Sequence, residues 1–234
     1  MENTSIKSRA FNCDCLPAMK EFPDGFFDLA VVDPPYGDGN GEFKRTDKSR
    51  FGGNFDKYKP VDRTGRSWSK KYGTAIIEWD KAPTQEYFQE LFRISQNIVI
   101  WGGNYFSLPP TRCFLIWKKL TISETFSMAM AEYAWTNFND NAKVFEFAPQ
   151  GNKEKRFHPT QKPIELYDWI FRLYAKPGMK VLDTHMGSGS SRIAAYNANL
   201  DYWGYEISPE YFKLEEERFL NHAAQQNMFL MEGE

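Results

Sequence analysis

Phe26-Phe27-Asp28-Leu29-Ala30-Val31-Val32-Asp33-Pro34-Pro35-Tyr36 is the stretch whose reading decides how this chain folds. Leu29 to Val32 is a short unbroken apolar run, the pattern of a parallel strand covered on both faces. Two prolines stop it, because neither carries an N–H for a sheet ladder. Asp33 is thereby set at the carboxyl end of a strand, where open α/β sheets place their ligands. Proline also pushes the residue before it toward extended geometry and restricts its own φ. One carboxylate, one carbonyl and one aromatic face are therefore held in narrow relative positions. Taken alone, the tetrapeptide reads either as a rigid catalytic scaffold or as a proline-terminated strand entering a loop. A ligand pocket elsewhere in the chain decides between them.

Working outward, the second informative stretch is Lys180-Val181-Leu182-Asp183, a predicted strand, followed by Thr184-His185-Met186-Gly187-Ser188-Gly189-Ser190, a loop opening a helix over 191–198. Tyr202 to Glu206 is the next strand, so Glu206 follows the glycine turn by about twenty residues, the order of a nucleoside-binding βαβ unit. Glycines let the backbone approach a ligand, and an acid at the second strand's end can take two ribose hydroxyls. A dinucleotide would rest its pyrophosphate on the helix amino terminus. Asp183, just before the turn, opposes a diphosphate and suits an ammonium. Electrostatics thus favours S-adenosyl-L-methionine, which has an ammonium and a sulfonium but no phosphate, over a nicotinamide cofactor.

The remaining pattern is that of one α/β domain over residues 1–234. A strand at 8–12 leads through Cys13-Asp14-Cys15 into a short helix with Leu16, Met19 and Phe22 apolar. Thr84 is placed to cap a helix with Tyr87, Phe88, Leu91 and Phe92 on its inner face. Further strands are predicted at 97–101, 114–117 and, at a sheet edge, 131–135. His158-Pro159-Thr160-Gln161-Lys162-Pro163 precedes a helix striped by Leu166, Ile170, Phe171 and Leu173, and a last helix starts at Pro209 and fades beyond His222. Residues 37–75 show no sustained period, and loops this long inside a domain are functional or disordered.

Charge is distributed unevenly. The chain carries a net −2, yet Lys44 to Lys71 holds ten Lys or Arg against three Asp, or +7, leaving −9 elsewhere. Lys44, Arg45, Lys48, Arg50, Lys57, Lys59, Arg63, Arg66, Lys70 and Lys71 alternate with Phe51, Phe55, Tyr58 and Trp68. Cations interleaved with aromatics suit phosphates and unstacked bases; a solvated flexible excursion is the alternative. Three cysteines supply neither a disulfide framework nor a four-ligand zinc site. With no apolar run near the ~18 residues of a membrane span and no signal-peptide order at the amino terminus, a cytoplasmic protein without a membrane partner is expected.

Four motifs now stand in order: Asp33-Pro-Pro-Tyr36, His158-Pro-Thr-Gln-Lys-Pro163, Leu182-Asp-Thr-His-Met-Gly-Ser-Gly189 and Gly204-Tyr-Glu-Ile-Ser-Pro-Glu-Tyr211. Together they resemble the permuted β-class of DNA amino-methyltransferases, particularly its small phage-associated members, over nearly the whole chain. The resemblance implies a Rossmann-like, circularly permuted, seven-stranded and mostly parallel sheet, with a catalytic half (1–150, with a recognition loop about 37–75) before a cofactor half (151–234). It implies methyl transfer from S-adenosyl-L-methionine, leaving S-adenosyl-L-homocysteine, to the exocyclic amine of a flipped-out base in DNA. Asp33, Pro34, Pro35 and Tyr36 would be catalytic. Asp14, Cys15, Asp33, His158, Thr160, Gln161, Lys162, Asp183, Thr184, Gly187, Ser188, Gly189, Ser190 and Glu206 would hold the cofactor, with Asp14 on its adenine. No metal is implied. Asp at position 33 leans toward adenine N6 and Ser toward cytosine N4; RNA as substrate and a non-catalytic nucleic-acid-binding subunit are the other readings. Relatives often dimerise, so a homodimer is an expectation, and a restriction partner would fit. The chain departs from the family at Thr184-His185, where relatives carry Pro-Phe, and in having loops where larger relatives have a separate recognition domain.

Overall fold

The computed structural model describes residues 8–36, 81–122, 129–149 and 156–232, with side chains described as far as residue 226. Residues 1–34 and 84–234 form one compact unit and 35–83 another. The first is built on β1 (Ser8–Phe11), β2 (Phe27–Val32), β3 (Ser95–Trp101), β4 (Phe114–Lys118), β5 (Ala131–Thr136), β6 (Lys143–Glu146), β7 (Lys180–Asp183) and β8 (Asp201–Tyr205). Its helices are α1 (Cys15–Lys20), α2 (Gln85–Ile94), α3 (Ile164–Tyr174), α4 (Ser190–Asn197) and α5 (Pro209–Glu232).

The described strands form a single sheet in the order β1-β8-β7-β2-β3-β5-β4-β6. All neighbours are parallel except β5, which runs antiparallel to β3 and β4. This is an α/β, mostly parallel, Rossmann-like sheet. The apolar run of β2 explains its central place: Leu29 and Val31 pack into the core on one face, Ala30 and Val32 into the core on the other. The first face is covered by Leu166, Tyr167, Ile170 and Phe171 of α3 and Ala194 and Ala195 of α4. The second is covered by Met19 of α1 and Tyr87, Leu91 and Ile94 of α2. With both faces covered, no residue of the run has a solvent side, hence the absence of alternation.

Three expectations need correcting. The sheet has eight strands among the described residues where seven were expected, the additional one being β6 at the edge. β5 is interior, between β3 and β4; its alternation comes from one partly polar face and not from an edge. The last helix continues to Glu232.

The topology fixes where chemistry can occur. From β2 the sheet grows through β3 in one direction, and from β7 through β8 in the other. The pair β2 and β7, in register at Ala30 opposite Leu182, is therefore a topological switch point, and ligands of such sheets bind beyond the carboxyl ends of the strands there. Asp33 and Asp183 stand at those two ends.

Candidate active site

Four acids crown the carboxyl ends of four adjacent strands: Asp14 after β1, Glu206 after β8, Asp183 at the end of β7 and Asp33 after β2. Asp14 caps α1, its Oδ1 accepting the Leu16 N–H at 2.9 Å, and it is exposed. Cys15 beside it is a core residue; burial, and then the Asp14 charge, pushes its thiol up to about 12, so it packs as a small apolar group. The Asn12 side chain donates to the Glu206 carbonyl at 2.7 Å and the Glu206 N–H to the Phe11 carbonyl at 3.0 Å, which ties the ends of β1 and β8 together.

Glu206 is held from both sides. Its Oε2 accepts the Gly187 N–H at 2.9 Å and its Oε1 the Ser208 N–H at 2.8 Å. A carboxylate accepts about four hydrogen bonds, so this bracing fixes the group without exhausting it. Burial raises its pKa, opposed by those backbone N–H groups.

Asp183 is buried deepest. Its Oδ1 accepts the His185 N–H at 3.0 Å and its Oδ2 the Ser191 hydroxyl at 2.5 Å. Burial lifts its pKa to about 7 against the pull of those two hydrogen bonds, with the Asp33 and Glu206 charges adding to the rise. The turn after it closes through Gly187 and Gly189, both left-handed at φ 54° and 72°. A Cβ on Gly187 would lie 3.2 Å from the His158 ring, so the His158 segment packs directly on the turn. Ser188 and Ser190 face each other at 3.2 Å, and Arg218 of α5 donates to the Ser188 carbonyl at 2.8 Å and the Ser190 hydroxyl at 3.0 Å.

Thr184 and His185, the departure from the family pattern, have a structural explanation. The Thr184 hydroxyl bonds the Tyr87 hydroxyl of α2 at 2.7 Å and His185 Nδ1 at 2.9 Å. The His185 ring meets the Tyr87 ring edge-on at 5.5 Å, and burial drives its pKa down to about 4. A neutral imidazole thus fills the place of an aromatic ring.

The segment before α3 braces itself. His158 Nδ1 accepts the Thr160 N–H at 3.3 Å, Gln161 Oε1 accepts the Phe157 N–H at 3.3 Å, and burial followed by the Lys162 and Arg156 charges drives the His158 pKa down to about 3. Lys162, expected at the cofactor, bonds Asp33 Oδ2 through its ammonium and lies 3.2 Å from Glu132 Oε2. Glu132 Oε1 in turn meets Lys119 Nζ at 2.5 Å. Asp33, Lys162, Glu132 and Lys119 thus form a row of alternating charge, backed by Trp101 and Trp117, over whose rings the Lys162 and Lys119 ammoniums lie at 5.6 and 5.0 Å. Burial opposes the charge on Lys162, but Asp33 and Glu132 outweigh it and hold the pKa above its ordinary value. Burial likewise opposes ionisation of Glu132, yet Lys162 and Lys119 pull its pKa down to about 2.

Pro34 is buried and follows Asp33 directly; Pro35 and Tyr36 belong to the second unit and are half-buried. The ten cations from Lys44 to Lys71 lie outside the described residues. Sequence reasoning missed Tyr87 as a partner of Thr184, Arg218 as a brace of the glycine turn, and Glu132. The available signal for Glu132 was an acid flanked by apolar residues on a strand next to Lys118-Lys119.

Known proteins resemble this chain in sequence and in fold. Residues 117–217 match the family model N6_N4_Mtase, described as a DNA methylase. YubD of Escherichia coli (strain K12), a protein named as a methylase, is 25% identical over 236 residues, covering 90% of this chain and 89% of its own. The type II methyltransferase M.HpaI of Haemophilus parainfluenzae is 24% identical over 244 residues, covering 91% of this chain and 74% of its own. Among solved structures, the PvuII DNA methyltransferase, described as cytosine-N4-specific, superposes with a TM-score of 0.59 at 14% identity over 92% of this chain and 87% of that one. M1.HpyAVI, solved as its complex with SAM, gives 0.54 at 20% identity over 90% and 98%. Residues 117–217 thus match a DNA methylase family model, the two relatives are named as a methylase and a methyltransferase, and the chain shares the fold of the two solved methyltransferases.

Proposed function

We propose that this protein is an S-adenosyl-L-methionine-dependent DNA methyltransferase acting on the N6 amine of adenine. The observation that carries the reading is the pair Asp33 and Asp183 at the carboxyl ends of β2 and β7, the switch point of the sheet. The donor set fits the cofactor: Asp14, Glu206 and Asp183 beside a glycine turn suit a ligand with two positive centres and a ribose diol, and oppose a diphosphate. That cofactor supplies the methyl group as an electrophile on a sulfonium. Asp183 would face its ammonium, Glu206 its ribose and Asp14 its adenine.

The rest of the work falls to Asp33 and Pro34. An exocyclic amine is a weak nucleophile because its lone pair is delocalised into the ring. The Asp33 carboxylate and the Pro34 carbonyl accept its two N–H hydrogens and draw the nitrogen toward tetrahedral geometry as positive charge develops on it. With the cofactor bound, the amine lone pair would form the new N–C bond as the S–C bond breaks in line, the S–C electron pair neutralising the sulfonium, and the nitrogen would pass its extra proton to water. Holding the reacting atoms at about 3 to 3.5 Å supplies much of the remaining acceleration. A base inside a duplex cannot reach such a site, so it is flipped out at a cost of a few kcal/mol. Tyr36 stacks on the extruded ring, and the cations of 44–71 hold phosphates, which position the DNA without selecting its sequence.

Unmethylated genomic DNA incubated with the protein and the cofactor, digested to nucleosides and analysed by mass spectrometry, tests the reading. N6-methyladenine is the expected product; N4-methylcytosine alone would move the assignment to the other amine.

A further inference from the structure

Glu132 lies on β5, a strand whose alternating pattern gives it no role, yet a single ammonium, that of Lys162, stands between it and Asp33. The face it occupies is otherwise the apolar core built by Trp101, Trp117 and Ala134. Glu132 Oε1 is tethered to Lys119, while Oε2, buried and with no hydrogen-bond partner of good geometry, sits 3.2 Å from Lys162 Nζ as an ion pair off the hydrogen-bonding angle. An apolar residue in its place would leave the Lys119 and Lys162 ammoniums without that anion, so the position supplies charge and not volume.

We propose that Glu132 is a positioning residue for methyl transfer: tethered by Lys119 on one side, it holds the Lys162 ammonium against Asp33 and so fixes the angle at which that carboxylate meets the amino group of the target base. The inference rests on the reading of Asp33 given above and extends it to a residue that touches neither base nor cofactor. Among the described residues, the groups facing the Lys162 ammonium are Asp33 beyond β2, the Trp101 ring of β3, Glu132 of β5, Tyr167 of α3, and His158 on its own segment; Lys119 beyond β4 faces Glu132 from the other side. Asp33 and Glu132 are the two anions among them, so neutralising Glu132 halves the negative charge that keeps Lys162 protonated. Burial then draws the Lys162 pKa down.

The test is Glu132→Gln, Glu132→Asp and wild type side by side, with kcat for unmethylated genomic DNA followed against pH and S-adenosyl-L-methionine affinity measured by calorimetry. Misplacement of a reacting group by about 1 Å costs about 100-fold, so Glu132→Gln is expected to lose about 10- to 100-fold in kcat with cofactor affinity within about twofold. Wild type, with Lys162 held above the ordinary lysine range, should keep its kcat to the top of the working pH range, and Glu132→Gln should bring an alkaline fall down into that range. Glu132→Asp keeps the charge and should keep the wild-type alkaline limb. A Glu132→Gln enzyme with wild-type kcat and an overlapping pH profile overturns the proposal, as does a loss of kcat with no movement of the limb, which is what a structural role alone would give. Should Glu132→Gln fold poorly, the charge-balanced pair Lys119→Met with Glu132→Gln must show the same shifted limb, and a wild-type limb there overturns the proposal equally. Wild type that methylates no DNA rejects the function proposed above; active wild type with an unaffected Glu132→Gln rejects this inference alone.

Discussion

The Lys162 ammonium is bonded to Asp33 Oδ2 across 129 positions of sequence, joining the segment before α3 to the end of β2. Lys162 is 5% exposed and Asp33 14%, so the pair is largely withdrawn from water. Removing one partner of such a pair leaves an uncompensated charge and costs about 3–5 kcal/mol; here Glu132 remains to share the ammonium. Asp33→Ala is accordingly expected to fold with a lowered melting temperature, to keep its cofactor affinity within a few-fold, and to lose about 100- to 1,000-fold or more in methyl transfer. Thermal melts, calorimetry and single-turnover transfer on the same preparation separate the three effects.

Asp183 titrates near pH 7 because burial disfavours its anion. A cationic ligand needs the anion, so affinity rises as pH rises through 7 and falls below it. The cofactor should bind about tenfold more weakly at pH 6 than at pH 8. Calorimetric titration at several pH values checks this, and Asp183→Asn should abolish the dependence while weakening binding throughout.

Gly189 is left-handed at φ 72°, and a Cβ there would strike the Glu215 side chain, whose Oε1 lies 2.7 Å from the ideal position. The left-handed conformation costs a residue with a Cβ about 1–2 kcal/mol, and overpacking adds about 1–3 kcal/mol. Gly189→Ala should therefore lose about 2–5 kcal/mol of stability, read from urea unfolding.

Glu215, wholly buried on the inner face of α5, meets Arg192 Nη1 with both oxygens at 2.9 and 3.0 Å, and the guanidinium lies 3.9 Å over the Phe219 ring. Arg192→Met should destabilise by about 3–5 kcal/mol, because burial already lifts the Glu215 pKa to about 7 and without its partner the group must take up a proton or stay charged in the core. The pair Arg192→Met with Glu215→Leu should recover most of that loss. A double variant no more stable than the single one would show that packing, and not charge, is at stake.

Legibility in the sequence followed burial on both sides. β2, β3 and β7 were readable because runs such as Ile98-Val99-Ile100 are apolar without alternation. β6, Lys143-Val144-Phe145-Glu146, was not, since four residues at an edge with every second one exposed carry little signal, and only parallel pairing with β4 identifies them. Asp33 was legible from the prolines after it, Asp183 and Glu206 from their order around the glycine turn, and Asp14 only through the family resemblance. Lys162 was legible as a site residue through its motif, but its pairing with Asp33 was not, since the two segments are 129 positions apart, and Glu132 was not legible because an acid in an alternating strand looks like a solvent-facing residue. Glu215 was hidden for the same reason, an acid on an otherwise apolar helix face whose partner is 23 positions away.

The central claim is that Asp33 holds the amino group being methylated. Transfer of an isotope-labelled methyl group from S-adenosyl-L-methionine to unmethylated genomic DNA, followed by mass spectrometry of the nucleosides, measures this with wild type and Asp33→Ala in parallel. The account predicts labelled N6-methyladenine from wild type and none above background from Asp33→Ala at equal cofactor occupancy. Equal labelling by the two proteins would contradict it.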